Sequence, residues 1–326
     1  MPSLSLAVWS LPLGALLDLL LGDPRGWPHP VRAIGHLIAQ LETVARRLIQ
    51  RTGGGSTSKE RLAGIWLAVL VVSFVGLVAW TFVSACDWLG SVPSLLGRSL
   101  LIYWGLAARS LGDETLQASE APDLKTARRE LSMIVGRDTA ALDEAEIGRA
   151  CVETVAENYA DAVVAPLFWF VIGGPVGLWM FKAISTLDSM VGYRNARYRD
   201  LGWASARLDD LAALIPSRLA WLLIGLAAWV AGERAGNALR IGWRDGRKHP
   251  SPNAGWGEAA MAGALGIQLG GPATYGGVPG FKPLLGDPDH PIDRVTVRRS
   301  VRVMRVAATL AVIFAWGVRS GLFGTP

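Results

Sequence analysis

The sequence has few of the residues that mark a disulfide-bonded or metal-binding soluble domain. It contains 2 cysteines and 4 histidines among 326 residues. Cys86 and Cys151 are far apart, and neither has metal-ligand spacing around it, so both are interpreted as free thiols used as small apolar residues. Three of the four histidines directly precede proline and are interpreted as turn residues.

Several catalytic motifs are also absent. No Gly-x-x-x-x-Gly-Lys-Ser/Thr sequence occurs, which excludes a P-loop nucleotide site, and neither a Gly-x-Ser-x-Gly elbow nor a His-Glu-x-x-His pair is present. Lysine is scarce, with 5 lysines against 27 arginines. The arginine excess suits phosphate, carboxylate or anionic lipid partners, or reflects codon usage alone; nucleic acid is not indicated.

Apolar residues, in contrast, are abundant. The chain is 51% hydrophobic, with 14 tryptophans and a mean hydropathy of +0.32, which predicts a polytopic membrane protein. Because a crossing needs about 20 mainly apolar residues, six segments are candidate spans. They are residues 4 to 21, 62 to 85, 94 to 108, 162 to 181, 211 to 231 and 304 to 323.

The basic residues predict the orientation. Lys and Arg concentrate in residues 22 to 61, 109 to 149, 194 to 207 and 234 to 305, and the positive-inside rule places all four on the cytoplasmic side. The segment 162 to 181 must then enter and leave on one face. The Gly173-Gly174-Pro175 break in its middle therefore predicts a re-entrant hairpin.

The predicted fold is an all-α polytopic integral membrane protein, with one domain over residues 1 to 326 and re-entrant or broken helices. The first apolar segment lacks a preceding Lys or Arg and a small-residue cleavage site, so it is interpreted as a retained helix. A helical cytoplasmic lobe is expected after residue 108, where Asp143 and Glu146 form a capping-box-like helix start. No strand pattern of any strength is recognised.

An acidic ridge is the first candidate for chemistry. From Asp143 to Pro166 a helical pattern places Glu153, Glu157 and Asp161 at four-residue spacing, with Asn158 beside them. Like charges at this spacing cost a helix about 0.2 to 0.5 kcal/mol per pair. A bound cation would remove that cost, whereas the simpler interpretation is a solvated acidic face.

A second cluster follows the broken apolar segment. Lys182, Ser185 and Thr186 share a helical face, and Asp188 lies beside them. A lysine over hydroxyl groups suits phosphate, and a nearby carboxylate could hold magnesium. The alternative is an amphipathic helix whose polar side faces water or neighbouring helices.

Two further clusters lie towards the C-terminus. Arg207, Asp209 and Asp210 could bind metal or simply form ion pairs, which contribute only about 0 to 1 kcal/mol at a surface. Asn253 and Glu258, in a Gly/Ala-rich segment, are open candidates for binding or catalysis.

Taken together and in order, these clusters resemble the adenosylcobinamide-phosphate synthase family of cobalamin biosynthesis, the CobD/CbiB family. Each piece is weak alone, but the ordered set is specific and runs almost end to end. The matching stretches are Gly22-Asp23-Pro24 with residues 29 to 35, Ser132 to Asp138, Glu153 to Asp161, Ala165 to Phe168, Lys182 to Tyr193, Ser205 to Asp210, Ser251 to Gly255 and Glu258 to Gly263.

The resemblance implies an enzyme, a carbon-nitrogen ligase of the cell inner membrane. It would join a propionate carboxylate of adenosylcobyric acid to the amine of (R)-1-amino-2-propanol O-2-phosphate, using ATP and Mg²⁺, and release adenosylcobinamide phosphate. Its partners would be these two substrates and the lipid bilayer, with the active site on the cytoplasmic side. Homo-oligomers and association with neighbouring pathway enzymes are left open.

The chemistry of amide formation suggests roles for the candidate residues, since a carboxylate must first be activated by phosphoryl transfer. Glu153, Glu157 and Asp161, with Asn158, are predicted to hold magnesium. Phosphate or substrate contacts are predicted for Arg137, Lys182, Ser185, Thr186, Arg207, Asn253 and Glu258. Lys182, Asp188 and Asp209 are the predicted catalytic residues, with Asp188 or Asp209 taking the proton of the attacking ammonium.

The main alternative is a membrane transporter or binding protein for a polar or phosphorylated substrate, because interrupted apolar segments can line a substrate path. Long polar connections and the lack of clear paired halves argue against it.

Overall fold

The computed structural model describes residues 4–23, 26, 29–51 and 55–323. The chain forms two compact units, each assembled from separate stretches. Residues 1–106, 165–213 and 315–326 belong to the first, and residues 107–164 and 214–314 to the second. The prediction of a single domain stays a prediction.

The first unit is helical. Its helices are α1 (Leu4–Ala7), α2 (Ser10–Leu21), α3 (Pro30–Arg51), α4 (Thr57–Trp88), α5 (Ser91–Gly105), α9 (Ala165–Val191) and α10 (Trp203–Ala212). Helix α4 packs against α9, and α2 packs against α5.

The second unit combines helices with one small sheet. Its elements are α6 (Ala108–Ser119), α7 (Leu124–Ser132), α8 (Glu144–Tyr159), a π-helical turn (Ala160–Val164), α11 (Leu214–Val230), α12 (Ala235–Asp245), α13 (Ala254–Leu265) and strands β1 (Gln268–Tyr275) and β2 (Val278–Gly286). Helix α13 packs against α11 and α12. The last helix, α14 (Arg294–Phe323), begins in this unit.

Three helical stretches among the described residues are long and apolar enough to cross a membrane: Thr57–Trp88, Glu144–Val191 and Arg294–Gly321. Helices α10 and α11 pass the same test if they count as one broken span. The mainly helical membrane fold is thereby confirmed. The predicted spans 62 to 85 and 162 to 181 fall within the first two stretches, and the third stretch covers the predicted span 304 to 323 as far as Gly321.

Two predicted spans are shorter than expected. The segment 4 to 21 splits into α1 and the 12-residue α2, and 94 to 108 falls within the 15-residue α5 and the residues after it. Pro12 explains the first break, because it cannot continue a helical hydrogen-bond ladder but is tolerated in a first turn. Neither helix alone reaches the length that a perpendicular crossing needs.

The predicted break in the middle of α9 is confirmed. Gly174 has φ 61° and ψ −154°, outside the helical region, and Pro175 follows it. A Cβ atom added at Gly177 would overlap the carbonyl oxygen of Trp169, although eight residues of straight helix would separate the two by roughly 12 Å. The chain therefore folds back on itself here. Arg319 donates to the carbonyl oxygen of Val171 at 2.8 Å, which satisfies an acceptor that the break exposes.

Gly177→Ala is expected to destabilise this hairpin by about 1 to 3 kcal/mol, because the added methyl group has no space beside the Trp169 carbonyl. Gly173→Ala is the matched control, since a Cβ there meets no atom within 4 Å. Thermal unfolding of both variants in detergent measures the difference. Equal melting temperatures for the two variants would contradict the close backbone approach.

Helix α8 begins as the sequence predicts. The Asp143 side chain accepts from the Glu146 amide at 2.8 Å, and the Glu146 side chain accepts from the Asp143 amide at 3.0 Å, which completes the capping box. The helix then changes to a π-helical turn at Ala160. Asp161 lies within this turn, so the regular α-helical repeat that placed it on the ridge ends just before it.

The antiparallel hairpin of β1 and β2 corrects the prediction of an all-helical lobe. Tyr275 pairs with Val278 across a two-glycine turn, in which Gly276 and Gly277 both have positive φ. Carboxylates from remote segments hold the strands. Asp138 accepts from both turn amides, at 3.2 and 2.7 Å, and Asp245 accepts from the Gly286 amide at 2.9 Å.

Candidate active site

A cluster of buried charged groups lies within the second unit, where the β-hairpin meets helices α8 and α13. Glu153 and Glu258 are buried on these two helices, and Lys282 extends from β2 towards both. The Lys282 Nζ atom lies 4.0 Å from Glu153 Oε2 and 3.9 Å from Glu258 Oε1. One ammonium group is thus shared by two carboxyl groups whose helices are remote in sequence.

Glu153 is held firmly in this cluster. Arg137 donates to its Oε2 atom, and the Gly270 amide donates to its Oε1 atom at 2.8 Å. Gly270 lies at the irregularity of β1 with φ 88°, where a Cβ atom would overlap the Pro283 carbonyl. Arg137 precedes Asp138, the residue that caps the hairpin turn, so the turn and the ion pair are positioned together.

Glu258 has a different environment. It is fully buried, and neither of its carboxyl oxygens has a hydrogen-bond partner among the described residues. The His249 Nε2 atom is 3.8 Å from Glu258 Oε1 and likewise makes no hydrogen bond to that part of the chain. The Nδ1 atom of His249 accepts from the Ser251 amide at 3.0 Å, so the neutral ring carries its proton on Nε2, facing Glu258. Buried polar atoms without partners are rare in folded proteins and point to a ligand or a proton-transfer role.

Burial controls the ionisation of this cluster. Desolvation raises the pKa of Glu258 to about 8, with Glu157 and Glu153 adding to the rise and Lys282 opposing it. Desolvation also lowers the pKa of His249, and Lys282 lowers it further. The pKa of Lys282 is raised instead, because Glu258, Glu153 and Glu157 outweigh its burial. An acid with a pKa near neutrality, facing a neutral imidazole and a charged lysine, suits general acid-base chemistry.

The pH dependence of unfolding should report Glu258. Its pKa is about 8 in the folded chain against an ordinary 4.5, so between these values the folded chain holds a proton that the unfolded chain releases. This contribution to stability is fully present below about pH 4.5 and is lost as pH rises towards about 8. We expect a slope of up to about 1.4 kcal/mol per pH unit.

Glu258→Gln should remove that slope, because the amide does not titrate. The measurement is the denaturant midpoint in detergent from about pH 5 to about pH 9 for both proteins. The lowered pKa of His249 has the opposite effect on the free energy of unfolding, which it reduces only at acid pH. This effect is the same in the unmodified protein and in Glu258→Gln. Identical pH profiles would show that Glu258 is not buried in its neutral form.

Asp245 anchors the adjoining end of the hairpin. It is fully buried and accepts from Arg244, from Lys248 at 2.6 Å and from the Gly286 amide. Burial alone would raise its pKa, but these donors lower the pKa of Asp245 to about 2. A permanently ionised carboxylate with all its donors in place is a structural group, which distinguishes it from Glu258.

Four residues predicted from sequence come together here: Arg137, Glu153, Glu157 and Glu258. Asn253 is also in the second unit, but its Oδ1 atom accepts from Ser217 and Arg218. Arg137 and Lys282 both lie beside Glu153 and offset its charge.

Magnesium ligation by Glu153, Glu157, Asp161 and Asn158 stays a prediction. Over residues 4–23, 26, 29–51 and 55–323, no group of three or more His, Cys, Asp or Glu side chains is arranged to hold a metal ion. Glu153 is engaged by a guanidinium and a backbone amide, and Asp161 lies in the π-helical turn. These residues do not fit a metal site built from protein ligands alone.

The remaining predicted residues belong to the first unit. The Thr186 hydroxyl donates to the Lys182 carbonyl at 2.6 Å, and the Ser189 hydroxyl donates to the Ser185 carbonyl at 2.7 Å, so Thr186 and Ser189 bond within their own helix. Asp188 lies near Asp210, and the exposed Arg207 is 3.5 Å from Asp210. Lys182 lies near His29. The roles predicted for Lys182, Ser185, Thr186, Asp188, Arg207 and Asp209 stay predictions.

Sequence reasoning missed Lys282, and it interpreted His249 correctly as a turn residue but did not recognise that its ring faces Glu258. Two strand signals were available for Lys282, namely the Gly276-Gly277 pair and the β-formers Tyr275 and Val278 on either side of it. Prolines and glycines within the strands obscured them. No local signal distinguishes His249, because its partner Glu258 is nine residues away across a helix start.

Comparison with known proteins shows the family of the chain. A model of the CobD/Cbib protein family matches residues 11–304. The chain belongs to the CobD/CbiB family. A relative from Pelobacter propionicus, named cobalamin biosynthesis protein CobD, is 50% identical over 304 residues, covering 92% of this chain and 91% of the relative.

Other family members match over a similar extent. The Salmonella typhimurium protein named cobalamin biosynthesis protein CbiB is 45% identical over 316 residues, 95% of this chain and 96% of its own length. A CobD protein of Klebsiella pneumoniae is 44% identical over 317 residues. No solved structure matches the chain.

Proposed function

We propose that this protein acts in cobalamin biosynthesis as an ATP-dependent ligase. It joins adenosylcobyric acid to (R)-1-amino-2-propanol O-2-phosphate through an amide bond and releases adenosylcobinamide phosphate. Family membership and the names of relatives that match over nearly their whole length support the pathway. The observation that carries the chemistry is the buried Glu258 carboxyl group, with no hydrogen bond to either oxygen, beside Lys282 and His249.

Amide formation requires an unprotonated amine. In the proposed reaction ATP supplies the phosphoryl group that turns a carboxylate oxygen into a leaving group. In its ionised form, Glu258 takes one proton from the ammonium, and the freed lone pair forms the C–N bond as the C–O bond to phosphate breaks. The second proton leaves with the phosphate. A carboxyl group whose pKa is raised to about 8 is a far better base for an ammonium than an ordinary glutamate.

Lys282 is the cation proposed to bind phosphate oxygens. It lies about equally far from two carboxyl groups, at 3.9 and 4.0 Å, and is hydrogen-bonded to neither. Arg137, in contrast, is engaged by Glu153 and is proposed to position that carboxylate. Magnesium is proposed to enter with ATP, since it commonly takes one or two carboxylates together with phosphate oxygens. The roles proposed for Glu258, Lys282 and Arg137 do not depend on magnesium.

The proposed location is the cell inner membrane, with the active site on the cytoplasmic side. The second unit carries the basic stretches 109 to 149 and 234 to 305, and the positive-inside rule places such stretches in the cytoplasm. ATP and both proposed substrates would be accessible there.

A transporter for a phosphorylated substrate is the second candidate, and the helix break at Gly174 favours it, because broken helices form many transport sites. The buried acid-base cluster is not explained by transport of a phosphate ester alone.

One assay tests the proposal. Detergent-purified protein is incubated with adenosylcobyric acid, aminopropanol phosphate, ATP and magnesium, and adenosylcobinamide phosphate is followed by mass spectrometry. We expect a product that depends on ATP and forms without sealed vesicles. A folded protein that forms no product in detergent, but accumulates the phosphate ester in sealed vesicles, would favour the transporter.

A further inference from the structure

Two arginines in the second unit share one tryptophan ring. The guanidinium carbon of Arg218 lies 4.9 Å from the Trp256 ring centroid, and that of Arg247 lies 5.9 Å from it. Arg247 also stacks on Trp243, at 5.0 Å. The positive charge of Arg247 acts on Arg218, and an anion beside the ring would offset this repulsion.

Neither arginine has a carboxylate partner among the residues that the structure describes. Arg218 donates through Nη1 to Asn253 at 2.8 Å, to Ser217 at 2.9 Å and to the Leu214 carbonyl at 2.8 Å. Its other nitrogens, and all those of Arg247, make no hydrogen bond within the described ranges. Other arginines of the same unit are neutralised, as the pairs Arg244–Asp287 and Arg305–Asp113 show.

The tryptophan adds an unpartnered donor. Trp256 is only 3% exposed, and its indole N–H has no hydrogen-bond acceptor in the described part of the chain. It belongs to the ring on which both guanidinium groups stack. Trp256 is also in the first turn of the 12-residue helix α13, where the positive end of the helix dipole favours an anion.

We propose that Arg218, Arg247 and Trp256 form a binding site for a phosphate group. Guanidinium groups match phosphate oxygens in pairs, and two of them supply the charge that a phosphate dianion needs. The Nη1 bonds to Asn253 and Ser217 fix the orientation of Arg218, and the exposed Arg247 leaves the site open to ligands. The phosphate belongs to a soluble phosphate ester or to a lipid head group.

The test is the ³¹P NMR line width of inorganic phosphate mixed with the full-length protein in dodecyl maltoside micelles. Phosphate that binds the protein broadens the line. Arg247→Gln is expected to weaken phosphate binding at least about tenfold and to restore a narrow line, because losing a hydrogen bond to a charged group typically lowers affinity by about this factor. Arg51→Gln, an exposed arginine of α3, is the matched control and should leave the broadening unchanged. Size-exclusion elution verifies that each variant is folded.

A second arm identifies the source of the phosphate. Adding phosphatidylglycerol to the micelles should abolish the broadening if a lipid head group occupies the site, and should leave it unchanged if the ligand is a soluble ester. Either result supports a phosphate site. Broadening that is absent from the unmodified protein, or equal in Arg247→Gln, would overturn the inference. Because binding is measured directly, this result is independent of the proposed ligase reaction.

Discussion

Replacing Glu258 by glutamine is expected to lower kcat for amide formation by about 10²- to 10⁴-fold, the range over which a positioned general base contributes. Glutamine keeps the shape of the side chain but cannot accept the ammonium proton. Because neither carboxyl oxygen is hydrogen-bonded to any residue that the structure describes, the substitution breaks no hydrogen bond there and removes only the charge that faces Lys282 at 3.9 Å. Stability above about pH 8 should therefore be unchanged or higher.

The matched control is Glu144→Gln in the same unit. Glu144 is exposed and pairs with the exposed Arg294, so its loss should leave kcat nearly unchanged. Turnover, measured as product formed per enzyme under saturating substrates, separates the two variants. Full activity in Glu258→Gln would show that Glu258 is not the general base, without excluding the ligase function. Loss of activity in both variants would show that the effect is not specific to the buried site.

Replacing Arg137 by methionine is expected to have the largest effect on stability. The pair with Glu153 is almost entirely buried, with side-chain exposures of 7% and 1%. Breaking a buried pair leaves an uncompensated charge and costs about 3 to 5 kcal/mol. Lys282, at 4.0 Å, can offset part of this cost, so we expect a loss near about 3 kcal/mol in denaturant unfolding.

Two further variants make this result interpretable. Arg294→Met breaks the exposed pair with Glu144 and should cost only about 0 to 1 kcal/mol. The double variant Arg137→Met with Glu153→Gln should recover most of the lost stability, because the neutral amide can still accept from the Gly270 amide. A single variant as stable as the unmodified protein would show that the pair is not buried.

Part of the site could be predicted from sequence because its residues lie in locally regular segments. Glu153 and Glu157 occupy the same side of a helix whose start is marked by Asp143 and Glu146, and the structure confirms that start. Asp161 was extrapolated along the same ridge. That extrapolation assumed a continuous α-helix, whereas Asp161 lies in the π-helical turn that begins at Ala160.

The β-hairpin could not be predicted with the same reasoning. Its strands contain Gly270, Gly271, Pro272, Pro279 and Pro283, which weaken a strand pattern. Because the local preference for strand structure is weak, side chains from other segments stabilise the hairpin. Asp138, Glu153 and Asp245 each accept from a hairpin amide, and they lie in three separate segments, namely the loop between α7 and α8, helix α8 and the end of helix α12.

The sequence by itself determined the membrane character, the main helical segments, the break at Gly174 and the family, because hydropathy, helix caps and ordered motifs are local properties of the chain. The tertiary structure alone decided which charges meet. Lys282, Glu258 and His249 acquire their chemistry from mutual proximity and from burial, which shifts the pKa of Glu258 to about 8. Neither property can be deduced from a residue's neighbours along the chain, since both depend on contacts between remote segments that exclude water.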